Sequence, residues 1–127
     1  MSMWTHVAGC IRIDAIRLDD EIFDQYVNYI KKRLGTIETY LDEHQEGNPL
    51  PRGSEGSLEY NILINPKKND MAAIVVTVWG DLRDFYESDV PKIETWFNNL
   101  ISDEEIWIRG AILGIYVENG FTKTLTQ

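Results

Sequence analysis

Residues Met3 to Ile16 alternate between apolar and polar positions. Val7, Ile11 and Ile13 share one face with Gly9, and His6, Arg12 and Asp14 share the other. Period two marks a half-buried strand. The spacing then turns helical, with Ile22, Phe23, Tyr26, Val27, Ile30 and Leu34 recurring every three or four residues. Leu18-Asp19-Asp20 offers an N-cap and first-turn acids, Lys31-Lys32-Arg33 places cations at the other end, and Gly35 stops the run. These signals predict a helix over Asp20–Leu34.

Thr36 to Gln45 reads as a shorter second helix, capped by Thr36 and with Ile37, Tyr40 and Leu41 on one face. Glu46 to Ser57 is the main loop, carrying Gly47, Asn48-Pro49, Pro51, Gly53 and Gly56. With no apolar repeat and so much glycine and proline, it is expected to be the most mobile internal segment. Alternation returns at Leu58, Tyr60, Ile62 and Ile64, a second strand that Pro66–Asp70 ends in a turn. Met71 to Gly80 is apolar on both parities, as a central strand would be. Ser88 or Asp89 then caps a helix with Pro91 in its first turn, whose buried stripe is Val90, Ile93, Trp96, Phe97, Leu100 and Ile101. Ile106 to Val117 is a fourth strand, and Asn119-Gly120 signals a type I′ hairpin into a short fifth, Phe121 to Thr126.

This order makes residues 1–127 a single α+β domain. The succession β-α-(α)-β-β-α-β resembles the ferredoxin-like split βαβ fold across almost the whole chain. The resemblance implies a βαββαβ antiparallel sheet with the two main helices on one face, plus the short extra helix and the C-terminal strand. It implies no activity, because this fold hosts many unrelated functions.

Charge narrows the functional classes. Twelve basic residues against 21 acidic ones give a formal net charge of −9. Binding to a phosphate backbone draws its affinity from Lys and Arg displacing counterions, so a nucleic-acid partner is disfavoured. The acids are scattered, as on a solvated surface. No run approaches the roughly 18 apolar residues of a membrane helix. Met1–His6 lacks the basic and apolar regions of a secretory signal, so none is expected. The single cysteine, Cys10, excludes an internal disulfide and points to a cytoplasmic setting.

Candidate chemistry is sparse. His6, His44 and Cys10 cannot compose a zinc site, and no metal or cofactor is expected. The segment from Trp79 to Phe85 is dense in polar and aromatic residues. Its Asp81 and Asp84 do not follow a calcium-loop spacing, and with Arg83 they are expected to pair among themselves. His6 with Glu59 or Asp81 is the one imaginable acid–base pair. The loop residues Arg52, Gly53, Ser54, Glu55 and Gly56 open into a strand instead of a helix, so they lack phosphate-loop geometry. They remain a candidate ligand or partner loop.

The open sheet face is the informative feature. If Val7, Ile11, Ile13, Tyr60, Ile62, Ile74, Val76 and Val78 face the helices, then Trp4, His6, Arg12, Leu63, Val75, Thr77 and Trp79 face away. On the fourth strand one parity turns Trp107, Arg109 and Leu113 outward, the other Ile106, Ile108 and Ile112. The candidate interface is therefore Trp4, His6, Arg12, Leu63, Thr77, Trp79, Trp107 and Arg109, centred on Trp4 and Trp79. The expectation is a small cytoplasmic interaction or regulatory protein, resembling accessory proteins of phages or mobile elements, that forms a homodimer or docks a protein partner through this face. The alternative is a small-molecule-binding or cofactor-free enzyme domain of the dimeric ferredoxin-like kind.

Overall fold

β1 (Trp4–Ile16) is the middle strand of the sheet, long enough at 13 residues to be paired along both edges. The computed structural model describes residues 2–16, 19–38, 46–65 and 71–127. β3 (Met71–Arg83) runs antiparallel to β1 from Ile16↔Met71 to Trp4↔Arg83. β2 (Glu59–Ile64) forms a hairpin with β3, β4 (Ile108–Val117) lies on the other side of β1, and β5 (Thr122–Thr126) closes the far edge. The result is a five-stranded antiparallel sheet in the order β2-β3-β1-β4-β5.

α1 (Asp20–Leu34) begins and ends where its caps dictate. Asp19 accepts from the amides of Glu21 and Ile22, and Gly35, at φ 105°, returns its N–H to the Lys31 carbonyl. α2 (Val90–Ile101) follows a 3₁₀ turn at 87–89 and carries Pro91 in its first turn. Phe23, Val27, Ile30 and Leu34 of α1 join Val90, Ile93, Trp96, Phe97 and Leu100 of α2 in one core with Val7, Ile11, Ile13, Ile74, Val76, Leu113 and Ile115 of the sheet. The Trp96 indole N–H donates to the Leu34 carbonyl at 3.0 Å, which ties the two helices together over that core. No helix among the described residues is long and apolar enough to cross a membrane.

Several expectations need correcting. β3 continues three residues past Gly80, so Asp81 and Arg83 belong to a strand and not to a junction. Ile22, which recurs at helical spacing with the buried residues of α1, is itself 64% exposed. On β4 neither parity holds throughout: a register shift between Arg12 and Ile13 passes over Arg109, so Ile108 lies opposite Ile13 and Ala111 opposite Ile11. Ile106 and Leu113 are therefore both buried, while Trp107, Arg109 and Ile112 are exposed. The β4–β5 hairpin forms, but Asn119 keeps a negative φ. Gly120, at φ 101°, donates to the Val117 carbonyl, as in a type I turn closed by a left-handed glycine. The turn at Pro66–Asp70 and most of the proposed helix over Thr36–Gln45, with His44, lie outside the described residues. Thr36 to Glu38 are not helical.

The loop expected to be mobile is strapped down instead. Leu50, Pro51, Ser57 and Leu58 are buried. The Ser54 amide donates to the Arg83 carbonyl at 2.8 Å, and the Arg83 amide donates to the Glu55 carbonyl at 3.1 Å. Its glycines serve close approach: a Cβ on Gly53 would fall 2.3 Å from the Arg83 oxygen, and Gly56 (φ 78°) sits against Asp81.

Candidate functional site on the open sheet face

The strand registers order the outward side chains into rows across the sheet. Asp81, His6, Tyr116 and Thr122 make the first row, and Glu59, Trp79, Ala8, Gly114 and Thr124 the second. Asn61, Thr77, Cys10, Ile112 and Thr126 make the third, followed by Leu63, Val75, Arg12 and Gly110. Because Ala8 and Gly114 carry almost no side chain, an open trough of about 370 Å³ runs beside the His6–Tyr116 pair toward β5. Tyr116 (47% exposed) lines it, and Trp79 (42%), Leu63 (51%) and Ile112 (48%) are exposed elsewhere on the same face. β5 pairs with β4 at the sheet edge and leaves this face open.

The two ends of the face differ in charge. At one end His6 Nδ1 lies 2.5 Å from Asp81 Oδ1, its Nε2 is 3.8 Å from Glu118 Oε2, and its ring stacks on Tyr116 with centroids 6.0 Å apart. Glu59 is nearby but pairs in register with Trp79, so of the two imagined partners of His6 only Asp81 reaches it. Glu118, which the sequence reading missed, is delivered by reciprocal bonding with Trp4. The Glu118 amide donates to the Trp4 carbonyl, and the Trp4 amide donates to Glu118 Oε1. At the other end Arg12 and Arg109 share Asp14, at 3.9 and 3.8 Å. One end thus gathers acids around His6, and at the other two arginines share Asp14.

Hydrogen bonding to Asp81 raises the His6 pKa above a histidine's ordinary 6.5. Partial desolvation opposes the rise, and the charges of Asp81 and Glu118 add to it. The folded state therefore favours imidazolium. Its contribution to stability is complete below the unfolded value and fades as pH climbs through the folded one. The His6 ring protons should titrate in NMR with a midpoint above 6.5, and Asp81→Asn should bring that midpoint down. A wild-type midpoint at or below the ordinary value would contradict the pairing.

The anticipated interface residues are only partly brought together. His6, Arg12, Leu63, Thr77 and Trp79 share the open face, with Ala8 and Cys10 at its centre. Trp4 is half-buried at the last register position of β1, away from that centre. Arg109 is the residue passed over at the β4 irregularity, and Trp107 lies two residues before it, its carbonyl accepting from the Asp14 amide. In the loop, Arg52 bonds Glu38, Ser54 Oγ donates to Asp84 at 2.7 Å, and Glu55 pairs with Arg83. Gly53 and Gly56 supply backbone contacts. Asp81, Arg83 and Asp84 do not pair among themselves, because the extension of β3 aims Asp81 at His6 and leaves Arg83 and Asp84 to the loop. Comparison with known proteins finds no matching family model, no matching curated protein and no matching solved structure.

Proposed function

We propose that this is a non-catalytic interaction protein that binds a second copy of itself, face to face, through the open side of its sheet. The observation that carries the reading is the outward sequence of β4, which alternates Gly110, Ile112, Gly114 and Tyr116. A two-fold axis across the strands, between the Ala8 and Cys10 rows, sets Ile112 over the second copy's Gly114 and Tyr116 over its Gly110. Bulk then meets a missing side chain at both places. The same operation sets Trp79 over Thr77 and Arg12 over the row of His6. The face is thus complementary to itself in shape along β4, as an isologous contact requires.

Five strands about 4.8 Å apart and four rows about 6.8 Å apart cover roughly 600 Å² per copy. About 1,200 Å² in total is the low end for a specific interface, so the dimer should be reversible, with a micromolar dissociation constant. Sedimentation equilibrium across concentration tests it. Trp79→Ala should weaken association by about tenfold or more with unchanged far-UV circular dichroism. Cys10 is the only cysteine, so a short bis-maleimide can give only intermolecular products, and it should trap the wild-type dimer. A monomer at several hundred micromolar, with Cys10 freely reactive, overturns the reading.

The chain order, with α1 in the first crossover and α2 in the second among the described residues, supports a ferredoxin-like sheet to which β5 is appended. The lone exposed Cys10 supports a cytoplasmic setting, and the small, acidic, motif-poor chain fits an accessory protein of a phage or mobile element. One observation favours a second reading, a small-molecule or cofactor-free enzyme site: the His6–Asp81 pair stands at the wall of the trough.

A further inference from the structure

At the opposite end of β1 from His6, the chain leaves exposed apolar surface around a cavity of about 400 Å³. Ile22, Phe23 and Trp107 supply the apolar wall, and Asp14, Glu104 and Glu105 the polar one. Ile22 and Trp107, at 64% and 59% exposed, are the two most exposed large hydrophobic residues described. A soluble protein seldom concentrates such residues at a concavity without use for them.

The cavity is framed rigidly. The Tyr26 hydroxyl donates to the Asp14 carbonyl and accepts from the Trp107 amide, which fixes α1, β1 and the segment before β4 to one another. Asp103, one residue before the two glutamates, accepts from Tyr29 Oη and from Arg33 Nε, both at 2.7 Å. No Lys or Arg lines the space among the described residues. Asp14 is shared by Arg12 and Arg109 at the long distances of 3.9 and 3.8 Å. The carboxylates of Glu104 and Glu105 pair with no described residue.

We propose that this cavity binds a small organic ammonium ion with an apolar body. The apolar part packs on Ile22 and Phe23. The charge meets the three carboxylates and the face of the Trp107 indole, whose quadrupole attracts a cation. A bare metal ion would want an unbroken shell of oxygen ligands, and half of this wall is hydrocarbon. The volume suits a small molecule. The site does not depend on self-association.

The test is an NMR titration with phenethylammonium against its neutral isostere, 2-phenylethanol. The ammonium should shift the Trp107 indole N–H and the Ile22 and Phe23 amides, and bind about tenfold more tightly than the alcohol. Glu104→Gln with Glu105→Gln should collapse that preference, while Trp107→Ala should weaken both ligands. All three side chains are exposed, so the variants should stay folded. Equal affinity for the two compounds, or no shift at these residues up to about 10 mM, overturns the proposal.

Discussion

Gly9→Ala should destabilise the protein by about 3 kcal/mol, whereas Gly110→Ala on the neighbouring strand should change stability little. A Cβ on Gly9 would fall 2.1 Å from the Ile112 carbonyl oxygen and 2.8 Å from the Leu113 Cα. Both are backbone atoms of β4, paired with the central strand, so no flexible side chain can yield. β1 is held by β3 on its other edge, and relief would require breaking part of the ladder. A Cβ on Gly110 meets nothing within 4 Å, and removing a glycine there would also lower the entropy of the unfolded chain. In urea and thermal unfolding, Gly9→Ala should lower the melting temperature by about 10 °C. Equal midpoints for the two variants would show that β1 and β4 do not approach as closely as described. Ala8 and Cys10 flank Gly9, so the close approach also sets the floor of the trough.

Helix ends were legible because their signals are local. Asp19, the cationic last turn and Gly35 each act within a turn of the helix they bound, and α1 spans the residues they imply. The strands were legible where alternation is clean, as in β1, whose buried face is Val7, Ile11 and Ile13. Alternation misled at β4, because a bulge flips parity midway and nothing in Arg109 or Gly110 announces it. His6 and Asp81 are 75 residues apart. Asp81 and Glu59 were equally imaginable partners from the sequence, and the run of β3 to Arg83, which sets His6 opposite Asp81, selects between them. Trp107 was read as an interface candidate and Ile22 as one of the apolar residues at helical spacing. Both line the cavity beside Asp14, where three segments converge that no periodicity connects.

The loop of residues 46–57 shows a different failure. Glycine and proline were read as freedom, yet Gly53 and Gly56 are small because backbone lies against them, and Pro51 is buried. Composition cannot separate a glycine that allows motion from one that allows contact. The buried partner that holds this loop, Glu38, comes from a segment expected to be helical.

Glu38→Ala should therefore be among the most damaging single changes in the protein. The Glu38 side chain is 2% exposed and accepts from Arg52 Nη1 at 2.5 Å and from Asn48 Nδ2 at 2.7 Å. Its amide donates to Ser57 Oγ at 3.0 Å. Asn48 extends the network, accepting from the Thr36 and Leu50 amides. Deleting the carboxylate strands the Arg52 guanidinium, only 25% exposed, without its counter-charge. Loss of one partner of a buried pair costs about 3–5 kcal/mol, and the partial exposure of Arg52 argues for the lower figure. Removing both groups, Glu38→Ala with Arg52→Ala, should cost less than the sum of the single changes. Hydrogen exchange gives a local readout. The Gly53, Ser54 and Leu58 amides, bonded to Gly56, Arg83 and Pro51, should be slow in the wild type. They should exchange at least about tenfold faster in Glu38→Ala. If they already exchange at the free-chain rate in the wild type, the loop is mobile after all and Glu38 does not anchor it.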